Sequence, residues 1–450
     1  MKGAHERALS LVGRSGSLRR RIVRGGLGSF AVKLASTLSA FLLAVLLARA
    51  LGPEGYGIYT YAFALVSLLA IPAQLGLPTL VVRETARAQA KEQWELMRGV
   101  WRWATGVVAL LSLGLALASA AAAWAFADSF TDMQLGTFWW GVILVPVLAL
   151  ANLRGAALRG LRKVVLGQLP ELIIRPAMLI ILILVALPWL PPDTFSPMAA
   201  MKLHVLAAAF AFLVGAGLLW RSRPRALVRA VGSAYEPRKW LGSLVSLALL
   251  AGMQIFNKYT DILMLGIFGE AEEVGIYRIA MQAAILVAFG FQATSMVVAP
   301  YFTRLYEQGD VKRLQYLVTI TTRIMLLVAV PIVVIFIIFG ESILGLIFGS
   351  EYVAGYMALS ILAIGKLLSS AFGPVAFLLN MTGNERSTAK AAAAGAGGNV
   401  LLNFILIPLY GMNGAAIATA VTLVSWHVIL WWIARRELGI QTLPFPAFRR

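Results

Sequence analysis

The side chains with chemical potential in this sequence are charges embedded in long apolar runs. A charge in hydrocarbon costs at least about 2.5–3.5 kcal/mol, so each needs a partner, a cavity or a route to the interface. The richest set is Gln254, Asn257, Lys258 and Asp261. Their spacing puts them on one helix face, too polar to meet lipid, so that face lines a cavity or another helix. Lys258 and Asp261 partly neutralise each other. Lys366 lies about 18 Å into its run, at ~1.5 Å per residue, with no carboxylate near it in sequence. Glu171 and Arg175 are spaced i,i+4 between Pro170 and Pro176. They are either a self-neutralised pair at a kink or a cation at a broken helix lining a cavity. Lys33 either snorkels to the basic interface or faces a cavity, and Arg49 snorkels at the other end. Arg278 and Arg323 are further cations within one or two turns of a run's end. Asn399 and Asn403 share a face at i,i+4, for hydrogen bonds between helices or to a substrate.

Deep cations (Lys33, Arg175, Lys258, Lys366, Arg323) outnumber deep acids (Glu171, Asp261). A low-dielectric cavity with that excess attracts anions and is a poor site for cationic drugs. Lys33, Arg175, Lys258, Lys366, Arg278, Arg323, Gln254, Asn257, Asn399 and Asn403 are therefore the candidate substrate-binding cations and polar partners. Asp261 and Glu171 are the candidate coupling or charge-pair groups.

Other chemistries are excluded on residue type. The chain has no cysteine and three scattered histidines, so thiol chemistry and a histidine-built metal site are not expected. Gly395-Ala396-Gly397-Gly398 lacks the Lys-Ser/Thr ending of a phosphate loop and reads as close helix packing. No cofactor is expected. The net charge of +19 would suggest nucleic acid in a soluble protein, but the basic residues flank apolar runs and fit topology and anionic lipid.

The elements that must position these charges are membrane helices. The chain is 60% hydrophobic and 13% charged, where a soluble domain carries roughly 25% charged residues. Runs long enough for a bilayer lie near 27–49, 57–78, 101–127, 134–158, 165–190, 201–220, 241–267, 274–301, 315–339, 354–379, 387–409 and 413–434. Connections after even-numbered runs carry Arg83, Arg87, Lys91 and Arg98; Arg159, Arg162 and Lys163; and Arg221 through Lys239. Later even connections carry Arg304, Lys312 and Arg313, then Arg386 and Lys390, whereas odd connections are nearly free of Lys and Arg, Lys202 being the main exception. The positive-inside rule then places both termini in the cytoplasm. Ala48-Arg49-Ala50 resembles a signal cleavage site, but the run before it is too long for a signal core, so no cleavage is expected. Asn380-Met381-Thr382 fits a glycosylation sequon on the cytoplasmic side and is expected to be unused.

Gly57-Ile58-Tyr59, Ala62 and Gln74 recur as Gly275-Ile276-Tyr277, Ala280 and Gln292, an offset of 218 residues. An offset of six helices gives two parallel repeats. The expected fold is an all-α membrane protein of about twelve spans in two pseudo-symmetric six-helix lobes around a central cavity. The expected organisation is a basic tail at 1–26, an N-lobe at 27–220, a basic linker at 221–240, a C-lobe at 241–434 and a second tail at 435–450.

Four stretches, in order, resemble one family. They are Leu47 to Tyr59 with Gln74-Leu75-Gly76-Leu77-Pro78; Asp261 to Gly266 with Val274 to Tyr277; Asn380 to Glu385; and Asn399 to Asn403 with Ile407 to Thr419. They are similar to the polysaccharide-biosynthesis, or O-antigen, flippases of the multidrug/oligosaccharidyl-lipid/polysaccharide exporter superfamily. The resemblance implies a V-shaped, two-lobed transporter. It would move polyprenyl-pyrophosphate-linked oligosaccharide across the cytoplasmic (inner) membrane by alternating access, with the deep cations holding the pyrophosphate. It implies no catalytic residue and no enzyme activity. The implied partners are the lipid-linked oligosaccharide, membrane lipids, and a polysaccharide polymerase or glycosyltransferases, with no nucleic acid. Two alternatives stand beside it, a cation-coupled multidrug exporter and a lipid II flippase. The drug-exporting branch uses carboxylates in its N-lobe, whereas the first run here has Lys33 and no Asp or Glu. Many lipid II flippases have additional helices.

Overall fold

Lipid offers the backbone no hydrogen-bond partner, so a spanning chain must satisfy its own peptide groups within each helix. The computed structural model describes the backbone of residues 2–189, 194–229 and 232–444, and within these the side chains outside 2–27, 29–30, 243, 245–258, 292–293, 296–297 and 299–300. The calls on Gln254, Asn257 and Lys258 therefore lie outside the described residues. The described chain is helical throughout, with no strand among the described residues.

The helices are α1 (Lys2–Gln74), α2 (Leu77–Ala90), α3 (Trp94–Ala125), α4 (Asp132–Gly160), α5 (Val164–Leu169), α6 (Arg175–Ala186), α7 (Pro197–Ser222), α8 (Arg225–Arg229), α9 (Pro237–Phe268), α10 (Ala271–Ala284), α11 (Phe289–Glu307), α12 (Val311–Phe348), α13 (Tyr356–Ala371), α14 (Val375–Met381) and α15 (Glu385–Leu438). Among the described residues nine stretches are long and apolar enough to cross a membrane. Two of these, in α1 and α15, are broken into two passes at Gly52 (φ 66°) and Gly411 (φ 54°), left-handed conformations that glycine adopts without strain. With α9 these make the twelve passes that the apolar runs predict.

Side-chain caps set several helix starts. Thr131 and Gln134 form a reciprocal capping box at α4, with bonds of 3.3 and 3.1 Å. Ser196 accepts from the Ala199 amide at α7, and Asp310 from the Arg313 amide at α12. Leu110, Leu113 and Leu117 on α3 and Ile335, Ile338 and Phe339 on α12 are exposed. Such apolar faces suit lipid rather than water.

The two lobes close on each other at the end opposite the basic loops. There the repeated glycines meet. A Cβ on Gly57 would collide with the Ala271 carbonyl, and one on Gly275 with the Pro53 carbonyl. The repeat thus marks a reciprocal crossing where two backbones touch and only hydrogen fits. The same end is tied by Tyr352, whose hydroxyl donates to the Ala48 carbonyl at 3.1 Å. Phe41 packs edge-on against Phe348 at 5.7 Å. The guanidinium of Arg49 donates to the carbonyls of Ile347 (2.8 Å) and Leu346. Arg49 therefore does not simply snorkel. It satisfies carbonyls at the C-terminal end of α12 that have no partner within the helix.

The expected kink between Pro170 and Pro176 takes a different form. Residues Pro170–Ile174 make a π-helical turn between α5 and α6, and the helix continues through it. Wider i→i+5 bonding absorbs the missing proline amides without breaking the span. At the basic end, residues 439–444 fold back onto α12. Gln315 donates to the Gln441 carbonyl at 2.6 Å, and Thr322 to that of Thr442 at 3.0 Å.

Candidate functional site

Each lobe contains its own polar cluster. In the first, α4 contributes Arg154, the π-helical turn Glu171, and α6 Arg175. Glu171 lies between the two cations, with Oε1 3.7 Å from Arg154 and Oε2 3.6 Å from Arg175. Arg154 also donates to the Phe212 carbonyl and stacks over the Phe212 ring at 4.8 Å. Its guanidinium passes across α7 at Gly215, where a Cβ would strike it. The pair read from the sequence is thus a triad with a surplus positive charge. Arg154 was not among the deep cations singled out in the sequence, although its place inside the run at 134–158 is the signal that marks it. Nearby, Tyr59 and His204 share a hydrogen bond of 2.7 Å, and Arg175 is close enough to act electrostatically on both.

The second cluster centres on Asp261 of α9, which is 5% exposed. One carboxylate oxygen accepts from Asn403 at 2.8 Å. The other accepts from Tyr277 at 2.9 Å and from Thr419. Asn403 also donates to Asn399 at 3.1 Å, and Asn399 reaches Thr419 at 3.4 Å. Lys366 on α13 is within electrostatic reach of Asp261. The lysine that lacks a carboxylate in sequence therefore has one in space. Asn399 and Asn403 make interhelical hydrogen bonds, as one of their two readings has it. Tyr277 and Thr419 complete the cluster but were not singled out as site residues. In the sequence Tyr277 appears in the repeat and in the stretch Val274 to Tyr277 that carries the resemblance, and Thr419 ends another such stretch.

The remaining predicted cations are dispersed. Lys33 is exposed on α1. Arg278 of α10 is close enough to Tyr56 of α1 to act on it electrostatically, so it lies at the junction between the lobes. Arg323 donates to the Pro444 carbonyl at 3.0 Å and anchors the C-terminal segment at the basic end. It stands apart from both clusters because the chain folds back there.

The two clusters have different chemistry. The first offers guanidinium groups, which bind phosphate-like anions with paired donors. The second aims an amide N–H and two hydroxyls at one carboxylate, which satisfies its oxygens and leaves it the acid of the cluster. Among the described residues no group of three His, Cys, Asp or Glu side chains is placed to hold a metal.

The polysaccharide biosynthesis protein family model matches residues 46–356, and the lipid II flippase MurJ model matches residues 285–446. The chain is 25% identical to a putative O-antigen transporter of Shigella flexneri, over 88% of this chain and 93% of that one. It is 26% identical to a probable low-salt glycan biosynthesis flippase of Haloferax volcanii over 37% of its own length. That match spans 35% of the archaeal relative, and one to an uncharacterized membrane protein of Methanocaldococcus jannaschii spans 37% of it. Among solved structures, the chain is similar to an inward-facing multidrug resistance MATE family transporter of the MOP superfamily. The TM-score is 0.72 at 14% identity, covering 92% of this chain and 98% of that one. An inward closed lipid II flippase MurJ gives a TM-score of 0.69 at 14% identity, covering 92% and 87%. These likenesses establish the two-lobed transporter fold.

Proposed function

This chain belongs to the polysaccharide biosynthesis protein family, and on that footing we propose that it flips a polyprenyl-pyrophosphate-linked oligosaccharide from the cytoplasmic to the outer leaflet. The observation that carries this reading is the surplus cation of the Arg154–Glu171–Arg175 triad in one lobe. A pyrophosphate is the anionic part of such a cargo, and guanidinium forks match it. The resemblance to an O-antigen transporter along most of both chains supports the same cargo class.

In this reading both termini and the basic loops are cytoplasmic, in the cell's inner membrane. The N-lobe is 27–220, the linker 221–240 and the C-lobe 241–434. The junction at Gly57 and Gly275 is the outer gate, shut in this structure, so the cargo loads from the cytoplasmic side. Arg175 and Lys33 meet the pyrophosphate, and Lys258 and Lys366 extend the cationic path. Asp261 is the coupling group, exchanging a proton or hard cation as Lys366 and the hydroxyls rearrange. A polymerase or glycosyltransferase acts on either side of the step, and the chain itself catalyses no covalent change.

Export of surface glycan in a host lacking its own flippase tests the proposal. The wild-type chain should restore export and the Arg175→Ala chain should not, at equal membrane abundance. Export by both chains alike would remove the anion site from the account. A second reading, lipid II transport, is favoured by the match of residues 285–446 to the lipid II flippase model. Rescue of a host depleted of its lipid II flippase, without rescue of surface glycan, would select it.

A further inference from the structure

A cavity of about 730 Å³ opens at the basic end of the N-lobe, with Arg154 of the first cluster at its inner wall. Its walls are α3, α4 and α7, with α8 and the segment before it at the mouth. Arg98 and Arg102 stand one turn apart on a single face of α3, and Arg223 faces them from the end of α7. Arg154 reaches the inner wall from α4. Among the described residues no carboxylate lines the cavity. Among the described residues Arg154 alone of these four has an ion pair, with Glu171 on the far side. Toward the membrane interior the lining changes to Leu150, Leu153 and Phe212.

The arginines retain donors. Arg98 gives hydrogen bonds to the Leu227 and Val228 carbonyls, and Arg102 one of 3.2 Å to Ser233. A guanidinium has five N–H groups, so each still has several to offer. Trp101 and Trp220 flank the mouth, at the level where indoles sit among lipid head groups. Three cations without a facing acid, beside an apolar cleft at helix ends, call for an anion that carries its own hydrocarbon.

We propose that this cavity holds the phosphate head group of an anionic phospholipid from the basic-side leaflet, with its acyl chains along Leu150, Leu153 and Phe212. The phosphate bridges Arg98 and Arg102 to Arg223, tying α3 to the end of α7. That link spans the segment carrying the connection to the C-lobe, since α8 lies between α7 and α9 in the chain. Basic pockets between membrane helices are suited to such head groups, and arginine binds phosphate through paired donors. The three arginines that hold the phosphate, Arg98, Arg102 and Arg223, lie outside the triad, and the cavity shares Arg154 with it at the inner wall; the proposal therefore does not depend on the proposed cargo.

Native mass spectrometry of the full chain, purified into detergent with equal phosphatidylglycerol and phosphatidylcholine, tests this. One phosphatidylglycerol should be retained with a preference of roughly tenfold, a ratio one set of charge-assisted bonds supplies. The double variant Arg102→Gln, Arg223→Gln should lose the preference. Ala216→Phe, which fills the cavity without altering charge, should lose the bound lipid. Inorganic phosphate should fail to displace it, because the chains contribute to holding it. Equal retention of the two lipids by the wild type overturns the proposal, as does an unchanged preference in the double variant. Displacement by inorganic phosphate alone overturns it too and makes the site one for free anions. Should the double variant not fold, the wild-type preference and the Ala216→Phe chain still decide.

Discussion

Tyr59 and Tyr277 occupy equivalent places in the two halves, yet one faces a histidine and the other a carboxylate. Tyr59 shares a hydrogen bond with His204 beside the Arg154–Glu171–Arg175 triad. Tyr277 donates to Asp261 within a set of amides and hydroxyls, with Lys366 in reach. The repeat preserved the backbone crossing at Gly57 and Gly275 and let the chemistry diverge. One lobe keeps an unneutralised cation, suited to an anionic cargo. The other keeps an acid with exchangeable partners, suited to coupling. A pair of lobes that close on each other can then link the two events through their shared junction.

That contrast can be broken most severely at Asp261. Asp261→Ala leaves three donors, Asn403, Tyr277 and Thr419, without their acceptor and removes the acid that acts electrostatically on Lys366. Each buried donor left unpaired costs about 1–3 kcal/mol. Thermal unfolding of the purified chain should show it, and transport should fail. An unchanged melting temperature would mean that the three donors do not depend on Asp261.

The tyrosines sharpen the contrast at smaller cost. Tyr277→Phe removes a hydrogen bond to a charged acceptor, about 1.5–3 kcal/mol, whereas Tyr59→Phe removes a neutral one, about 0.5–1.5 kcal/mol. Denaturation of the two variants side by side should rank Tyr277→Phe as the more damaging. The reverse order would undo the assignment of the acidic site to the C-lobe.

The junction can be opened by a single methyl. Gly57→Ala forces the Ala271 carbonyl away, a strain of roughly 1–3 kcal/mol where packing is tight. The chain has no cysteine, so Ala48→Cys gives one reporter, at a residue fully buried in this junction. Its labelling by a water-soluble maleimide should rise in the Gly57→Ala background. Unaltered labelling would show that the lobes do not part there. The smallest effect is expected from Tyr352→Phe, which removes the bond to the Ala48 carbonyl. About 0.5–1.5 kcal/mol is at stake, and the same reporter should show a slight rise.

The sequence was informative where physics is local. Apolar length and loop charge gave the spans, because a helix in lipid has little freedom in either. The Gly-Ile-Tyr repeat marked the symmetric crossing before its geometry was visible. Charge burial found Asp261, Lys366, Glu171 and Arg175, each of which stands in a cluster. What stayed hidden was pairing across long separations. Nothing near Lys366 in sequence points to Asp261, and nothing near Glu171 points to Arg154 beyond its own burial. Arg323 looked like a cavity cation because its acceptor, the Pro444 carbonyl, arrives only when the chain end folds back. Arg278 likewise meets Tyr56 only once the lobes are joined.

The division of labour between the lobes is tested most directly by one transport measurement on three chains. Wild type, Arg175→Gln and Asp261→Asn would be reconstituted in liposomes with a pyrophosphate-linked glycolipid. Half-saturating substrate and dependence on an imposed proton or sodium gradient are then read together. The account predicts that Arg175→Gln raises half-saturation and keeps the gradient dependence. It predicts that Asp261→Asn loses the gradient dependence and keeps half-saturation. Both variants shifting the same quantity, or Asp261→Asn responding to the gradients as the wild type does, would contradict it.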